Sequence, residues 1–62
     1  MNYGMAVRRA VTAFRFSDKR AQSFVLALAH NDSDAVASQY RIDKDDARRF
    51  KAVCDLKNGG FA

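Results

Sequence analysis

The stretch Ser33–Ala52, SDAVASQYRIDKDDARRFKA, reads as a short helix, a tight turn and a second helix. Two helices that cross steeply around a three- or four-residue turn need buried side chains at set intervals. Val36, Ala37, Tyr40, Ile42, Ala47 and Phe50 meet those intervals. Ala37 is the small residue that a close crossing requires, and Ile42 is an apolar plug for the turn. Asp43 supplies a side-chain oxygen for the free amides that open the second helix. Asp46 stands three residues on, an acidic variant of the capping-box spacing whose charge suits a helix N-terminus.

The same reasoning extends towards residue 1. Asn2 can cap a first helix, whose apolar stripe is Tyr3, Val7, Ala10, Val11 and Phe14, at steps of three and four. Arg8, Arg9, Thr12 and Arg15 occupy its other side, as either a solvated face or a phosphate-contacting one. Ser17 is a good cap and Asp18 a good first-turn residue for a second helix. Its inner stripe is Ala21, Phe24, Val25, Leu28 and Ala29. Leu26 lies off that stripe, placed to pack on the first helix or on a second subunit. Asn31 is expected to end this helix in the left-handed conformation, with His30 a favourable charge at its C-terminus. Asn58-Gly59-Gly60 stops the last helix, leaving Phe61 to fold back or dock on a partner. The spacing therefore predicts helices over 3–15, 18–30, 34–40 and 44–57. The fold class is all-α: four short helices in one domain, residues 1–62. The expected core is Val7, Val11, Phe14, Phe24, Val25, Leu28, Val36, Tyr40, Ile42, Ala47, Phe50 and Val53.

Sixty-two residues are few. A chain this short buries only about 60% of the surface its unfolded form exposes, so small scaffolds lean on disulfides, metals or partner subunits. One cysteine and one histidine allow neither an internal disulfide nor a Cys/His metal cage. Self-association remains, and a homodimer is expected, built by the first helix or around Leu56 and Phe61. Cys54 reads as a small buried hydrophobe.

Eleven basic residues stand against seven acidic ones, a net charge of +4, with a sequence pI near 9.7. Such a balance suits nucleic acid, an anionic surface or an acidic protein. The excess lies in residues 1–30, where Arg8, Arg9, Arg15, Lys19 and Arg20 face Asp18 alone. No apolar run reaches membrane-spanning length, and no basic segment leads into a long apolar one as in a signal peptide. With a free cysteine, this points to a cytoplasmic protein that does not engage a membrane.

Residues 33–52 resemble the helix-turn-helix superfamily of DNA-binding domains. The order of the last three helices is similar to homeodomain-like folds, including small phage packaging and regulatory domains. Gly4, Val7-Arg8 and Phe16-Ser17-Asp18 also echo the opening of phage Cro/repressor-type domains. That likeness stops at Gln22 and Phe24-Val25-Leu26-Ala27, where a small residue and a turn glycine belong, so those DNA contacts are not carried over. Arg41 likewise stands where the turn of a helix-turn-helix often has glycine. A rival resemblance is to ribbon-helix-helix repressors. There Thr12–Phe16 would be a strand lying in the major groove, and residues 33–55 one long helix. Asp43, Lys44, Asp45 and Asp46 interrupt the stripe of such a helix for a full turn.

The helix-turn-helix resemblance implies a small phage- or plasmid-type transcriptional regulator that binds duplex DNA. Its expected reading residues are Arg41, Lys44, Asp45, Arg48, Arg49 and Lys51, with Arg48 and Arg49 aimed at guanine edges and Asp45 at a cytosine amino group. Arg8, Arg9, Lys19 and Arg20 are the expected phosphate contacts. The objection is local: Asp45 and Asp46 would repel phosphates, whose neutralisation dominates affinity. The alternative is a small helical module that binds another protein, such as a host enzyme, without DNA. No catalytic constellation stands out, so no enzyme, cofactor or metal is expected. Asp43, Asp45 and Asp46 lack the glycine and bidentate glutamate of a calcium loop, and His30 lacks a carboxylate and a nucleophile.

Overall fold

Two side-chain caps, each followed by an apolar stripe, set the first half of the molecule, and the second half repeats the scheme. The computed structural model describes residues 2–54. Helix α1 spans Tyr3–Phe14, α2 Asp18–His30, α3 Ser33–Tyr40 and α4 Lys44–Val53, and no strand occurs among the described residues. Each helix starts at a capping side chain. Asn2 accepts from the Met5 amide, Ser17 from Arg20, Asp32 from Ala35, and Asp43 from both Asp45 and Asp46. Three of these caps are the ones the sequence names. Asp32 is additional, and it starts α3 at Ser33 instead of residue 34.

The turn between α3 and α4 is Arg41-Ile42-Asp43. Arg41 takes the left-handed conformation, with φ 57°. The Ile42 amide donates to the Ala37 carbonyl at 3.0 Å and the Arg41 amide to Ser38 at 3.4 Å. This is the paired closure that satisfies a helix's last carbonyls, and it puts Ile42 back against the helix it follows. The break excludes one helix over residues 33–55. Because α1 runs to Phe14, the strand expected of a ribbon-helix-helix protein is absent too.

Helix α2 packs against each of the other three, and α3 against α4. The fully buried side chains include Phe24, Val25, Leu28, Val36 and Cys54, each contributing about 1.5–3 kcal/mol of burial if it is a large one. Ala6, Ala10, Ala21, Ala29, Ala37 and Ala47 complete the core and let backbones approach closely. Five rings, those of Phe14, Phe16, Phe24, Tyr40 and Phe50, form a cluster with centroids 5.2–5.9 Å apart. Such contacts add about 0.5–1.5 kcal/mol per pair beyond area. Phe24 touches all four of the others and so ties the two helix pairs together.

Several expectations need correction. Helix α1 stops at Phe14 instead of 15, because Arg15 is left-handed with φ 57°. Asn31 is extended (φ −132°), not left-handed, and its side-chain amide caps α2 by donating to the Ala27 carbonyl. Val53 is 52% exposed, outside the core, because α4 turns its inner face through Ala47, Phe50 and Cys54. Leu26, which lies off the inner stripe of α2, is 46% exposed. Val7, Val11, Phe14 and Ile42 are half-buried against the core. The expected end of the last helix at 57, its Asn58-Gly59-Gly60 stop, and the roles of Leu56 and Phe61 lie outside the described residues. No helix among the described residues is long and apolar enough to cross a membrane.

Candidate nucleic-acid interface

Helix α4 presents the residues that the sequence assigns to base reading, and most of them have partners within the chain. Arg48 donates through Nε and Nη2 to the two carboxylate oxygens of Asp34, at 2.9 and 2.7 Å, and through Nη1 to Asp45 at 3.2 Å. Arg49 lies 4.0 Å from Asp46, one turn away. Lys51 donates its Nζ to the Asn31 carbonyl. Helical geometry explains the near pairs, since residues three apart share a face. The Asp34 bridge is tertiary, joining the first turn of α3 to the middle of α4. The hydrogen bond from Arg48 holds the Asp34 carboxyl below the usual carboxylate range, with Lys44 adding to the effect. The same bond raises Arg48 further.

A second cluster forms where the two turns meet. Arg20 leaves the first turn of α2 and lies over the rings of Phe16 and Tyr40, 5.0 and 4.9 Å from their centroids. It also donates to the Tyr40 carbonyl at 3.1 Å, one of the free acceptors at the end of α3. Ser23 and Tyr40 share a further hydrogen bond through their hydroxyls. These contacts fasten the start of α2 to the end of α3, with the Phe16 and Tyr40 rings 5.9 Å apart between them. Lys19 and Arg20 line one hollow with Ser17, Gln39 and Tyr40, and Arg15 and Arg41 each adjoin a ring of the Phe16–Tyr40 contact in sequence, so these four make up a basic end, while Lys44 opens α4 and acts on Asp34. Of the neighbouring carboxylates, Asp43 is engaged by backbone amides, Asp18 stands in the first turn of α2, and Asp45 and Asp46 stand in the first turn of α4.

The expected residues thus divide. Arg41 and Lys44 have no ion-pair partner among the described residues, nor do Arg8, Arg9, Arg15 and Lys19. Asp45, Arg48, Arg49 and Lys51 are engaged internally. Of the four expected phosphate contacts, Lys19 and Arg20 join the basic end, though Arg20 also holds α3. Arg8 and Arg9 lie on the outer face of α1 with Met5, Thr12 and Ala13, and Arg9 also faces Arg49 and Val53 across a groove of about 340 Å³ between α1 and α4. Arg15, read in the sequence as part of the basic face of α1, stands just beyond the end of that helix in the left-handed conformation. Arg15-Phe16-Ser17 repeats the left-handed residue, apolar plug and cap of Arg41-Ile42-Asp43.

The described residues hold no group of three or more His, Cys, Asp or Glu arranged to bind a metal. Cys54 is buried, and burial pushes its thiol pKa up, so it carries no thiolate character. Neither a protein-family model, a curated protein nor a solved structure matches this chain.

Proposed function

We propose that this protein is a small duplex-DNA-binding regulator that approaches DNA with the basic end formed by its two turns. The observation that carries the reading is the cluster that fastens the two turns: it sets Lys19 and Arg20 beside Tyr40, with Arg15 and Arg41 each one residue from the Phe16–Tyr40 ring contact, and none of these four cations, nor Lys44, has an ion-pair partner among the described residues. Phosphate neutralisation supplies most of the affinity of non-specific binding, and only uncommitted cations can contribute it without first breaking an internal pair. The end that bears them is also the N-terminal end of α4, the end that a helix-turn-helix protein brings to base edges. A homodimer fits this role by presenting two such ends. Met5, Leu26 and Val53 are large apolar side chains left 57%, 46% and 52% exposed, available to cover one another. One observation favours the partner-protein reading instead: Arg48 and Arg49 on α4 are already paired, with Asp34 of α3 and with Asp45 and Asp46 of α4.

Titration of a fluorescent random-sequence duplex at about 50 mM salt tests the proposal. Binding in the micromolar range is expected, falling steeply with salt. Lys19→Ala and Lys44→Ala should each lower the slope of log K against log salt by about one. Absence of binding at that salt would overturn the reading. Sedimentation at micromolar concentration showing only a 6.9 kDa species would remove the dimer.

A further inference from the structure

The geometry points to Asp34 as a residue that sets DNA affinity and base preference by competing with DNA for Arg48, an inference that rests on the DNA-binding reading above. Three donor atoms of Arg48 are occupied in the free protein: Nε and Nη2 by Asp34, and Nη1 by Asp45. The guanidinium fork that matches a carboxylate also matches the O6 and N7 edge of guanine or a pair of phosphate oxygens. Asp34 therefore occupies the donors that a DNA contact would need.

The pair is placed for exchange. The Arg48 side chain is 55% exposed and that of Asp34 36%. An ion pair in water is weak, because solvent and salt screen it and two side chains must be ordered to make it. A buried pair would lock Arg48 permanently, whereas this one can trade partners at small cost. Arg48 sits one turn beyond Lys44 on the same helix face, so a helix that brings Lys44 to the phosphates brings Arg48 to the groove. Asp34 belongs to a different helix from Arg48 and does not cap its own. Asp32 performs the capping of α3, and this leaves Asp34 free for Arg48.

A double-mutant cycle read by DNA titration tests this. Wild type, Asp34→Asn, Arg48→Gln and the double variant are each titrated with a random duplex at about 50 mM salt, after circular dichroism confirms equal helicity. Asp34→Asn keeps the size of the side chain, removes its charge and should tighten binding about two- to five-fold, the range that release of an exposed charge pair allows. In the Arg48→Gln background the same change should have less than half that effect on a logarithmic scale, because the competing partner is gone. An equal gain in both backgrounds would mean that Asp34 acts as a bulk charge, and would overturn the proposal while leaving DNA binding intact. Unchanged or weaker binding by Asp34→Asn would overturn it likewise. If none of the four proteins binds, the DNA reading fails and the competition fails with it.

Discussion

Residues 15–17 and 41–43 are two turns built to one pattern and held by different forces. Each begins with an arginine in the left-handed conformation, φ 57° in both. Each continues with an apolar plug, Phe16 or Ile42, and ends in a cap, Ser17 or Asp43, with extended backbone at φ −64° and −66°. The second turn is closed by two backbone hydrogen bonds onto α3. The first shows no such pair; it is held by its plug. The Phe16 ring lies 5.4 Å from Phe14, 5.2 Å from Phe24 and 5.9 Å from Tyr40, with Arg20 over its face. A three-residue connection between helices can thus be fixed by backbone closure or by side-chain packing, and the choice decides what each turn tolerates.

The largest expected difference lies in the plugs. Phe16→Ala should cost about 2–4 kcal/mol, since it removes three ring–ring contacts and the seat of Arg20 and opens space beside Phe24. Ile42→Ala should cost about 1–3 kcal/mol, because the backbone bonds of its turn survive. Thermal unfolding of both variants checks the order. If Ile42→Ala proves the costlier, backbone closure does not protect the second turn, and the contrast between the two fails.

This pairing also shows why one turn was legible and the other was not. Ile42 sits between two clear stripes and before an aspartate, so its turn could be read from spacing and cap together. Phe16 follows Phe14-Arg15, and nothing local separates the last residue of a helix from the first beyond it when no glycine marks the end. Arg15 was accordingly read as helical. The core was legible wherever burial followed a 3.6-residue period, as in Phe24, Val25, Leu28, Val36 and Phe50. Val53 was misplaced because Val53 and Cys54 both fall within reach of a stripe extrapolated through Phe50, and only Cys54, read as buried from its residue type, faces inward. The candidate interface was legible as composition but not as partnership. The sequence marks Arg48 and Arg20 as cations. That one is clamped by Asp34, fourteen residues away, and the other laid over Tyr40, twenty residues away, is settled by tertiary packing.

The caps give a smaller contrast. Asp43 accepts from two amides, at 2.8 and 3.3 Å, and its charge opposes the positive end of α4. Ser17 accepts from one, at 3.2 Å, and is neutral. Asp43→Ala should therefore destabilise by about 1–2 kcal/mol, and Ser17→Ala by about 0.5–1 kcal/mol. Denaturant midpoints at constant slope provide the measurement. Equal losses would show that the second bond to Asp43 adds nothing.

Replacing the left-handed arginines should raise stability. A side chain at such φ crowds its own backbone, and glycine does not. Arg41→Gly is expected to gain about 0.5–1 kcal/mol, because its closing hydrogen bonds remain to hold the turn. Arg15→Gly should gain less, since its turn lacks those bonds and glycine enlarges the freedom lost on folding. If Arg41 contacts DNA, Arg41→Gly will also weaken duplex binding while melting at a higher temperature. That opposition separates a site residue from a structural one, and a variant that melts higher with unchanged DNA affinity would place Arg41 outside the interface.

The smallest expected effect is a pH dependence confined to the second half of the molecule. Arg48 lowers the folded-state pKa of Asp34 beneath its ordinary value of 3.8. A carboxylate lowered on folding contributes stability that is fully present above its unfolded value. The contribution is lost as pH falls through the folded one. Wild type should therefore exceed Asp34→Asn in melting temperature at neutral pH, and the gap should narrow only once the pH drops below about 4. Both side chains face water, so the gap will be small and will shrink with added salt. The first turn, held by rings instead of charges, supplies the control: the difference between wild type and Phe16→Ala should be flat over the same pH range. A gap for Asp34→Asn that stayed constant to pH 2 would mean that the bridge to Arg48 stabilises nothing in solution. Arg48 would then be free to contact DNA from the start, without competition from Asp34.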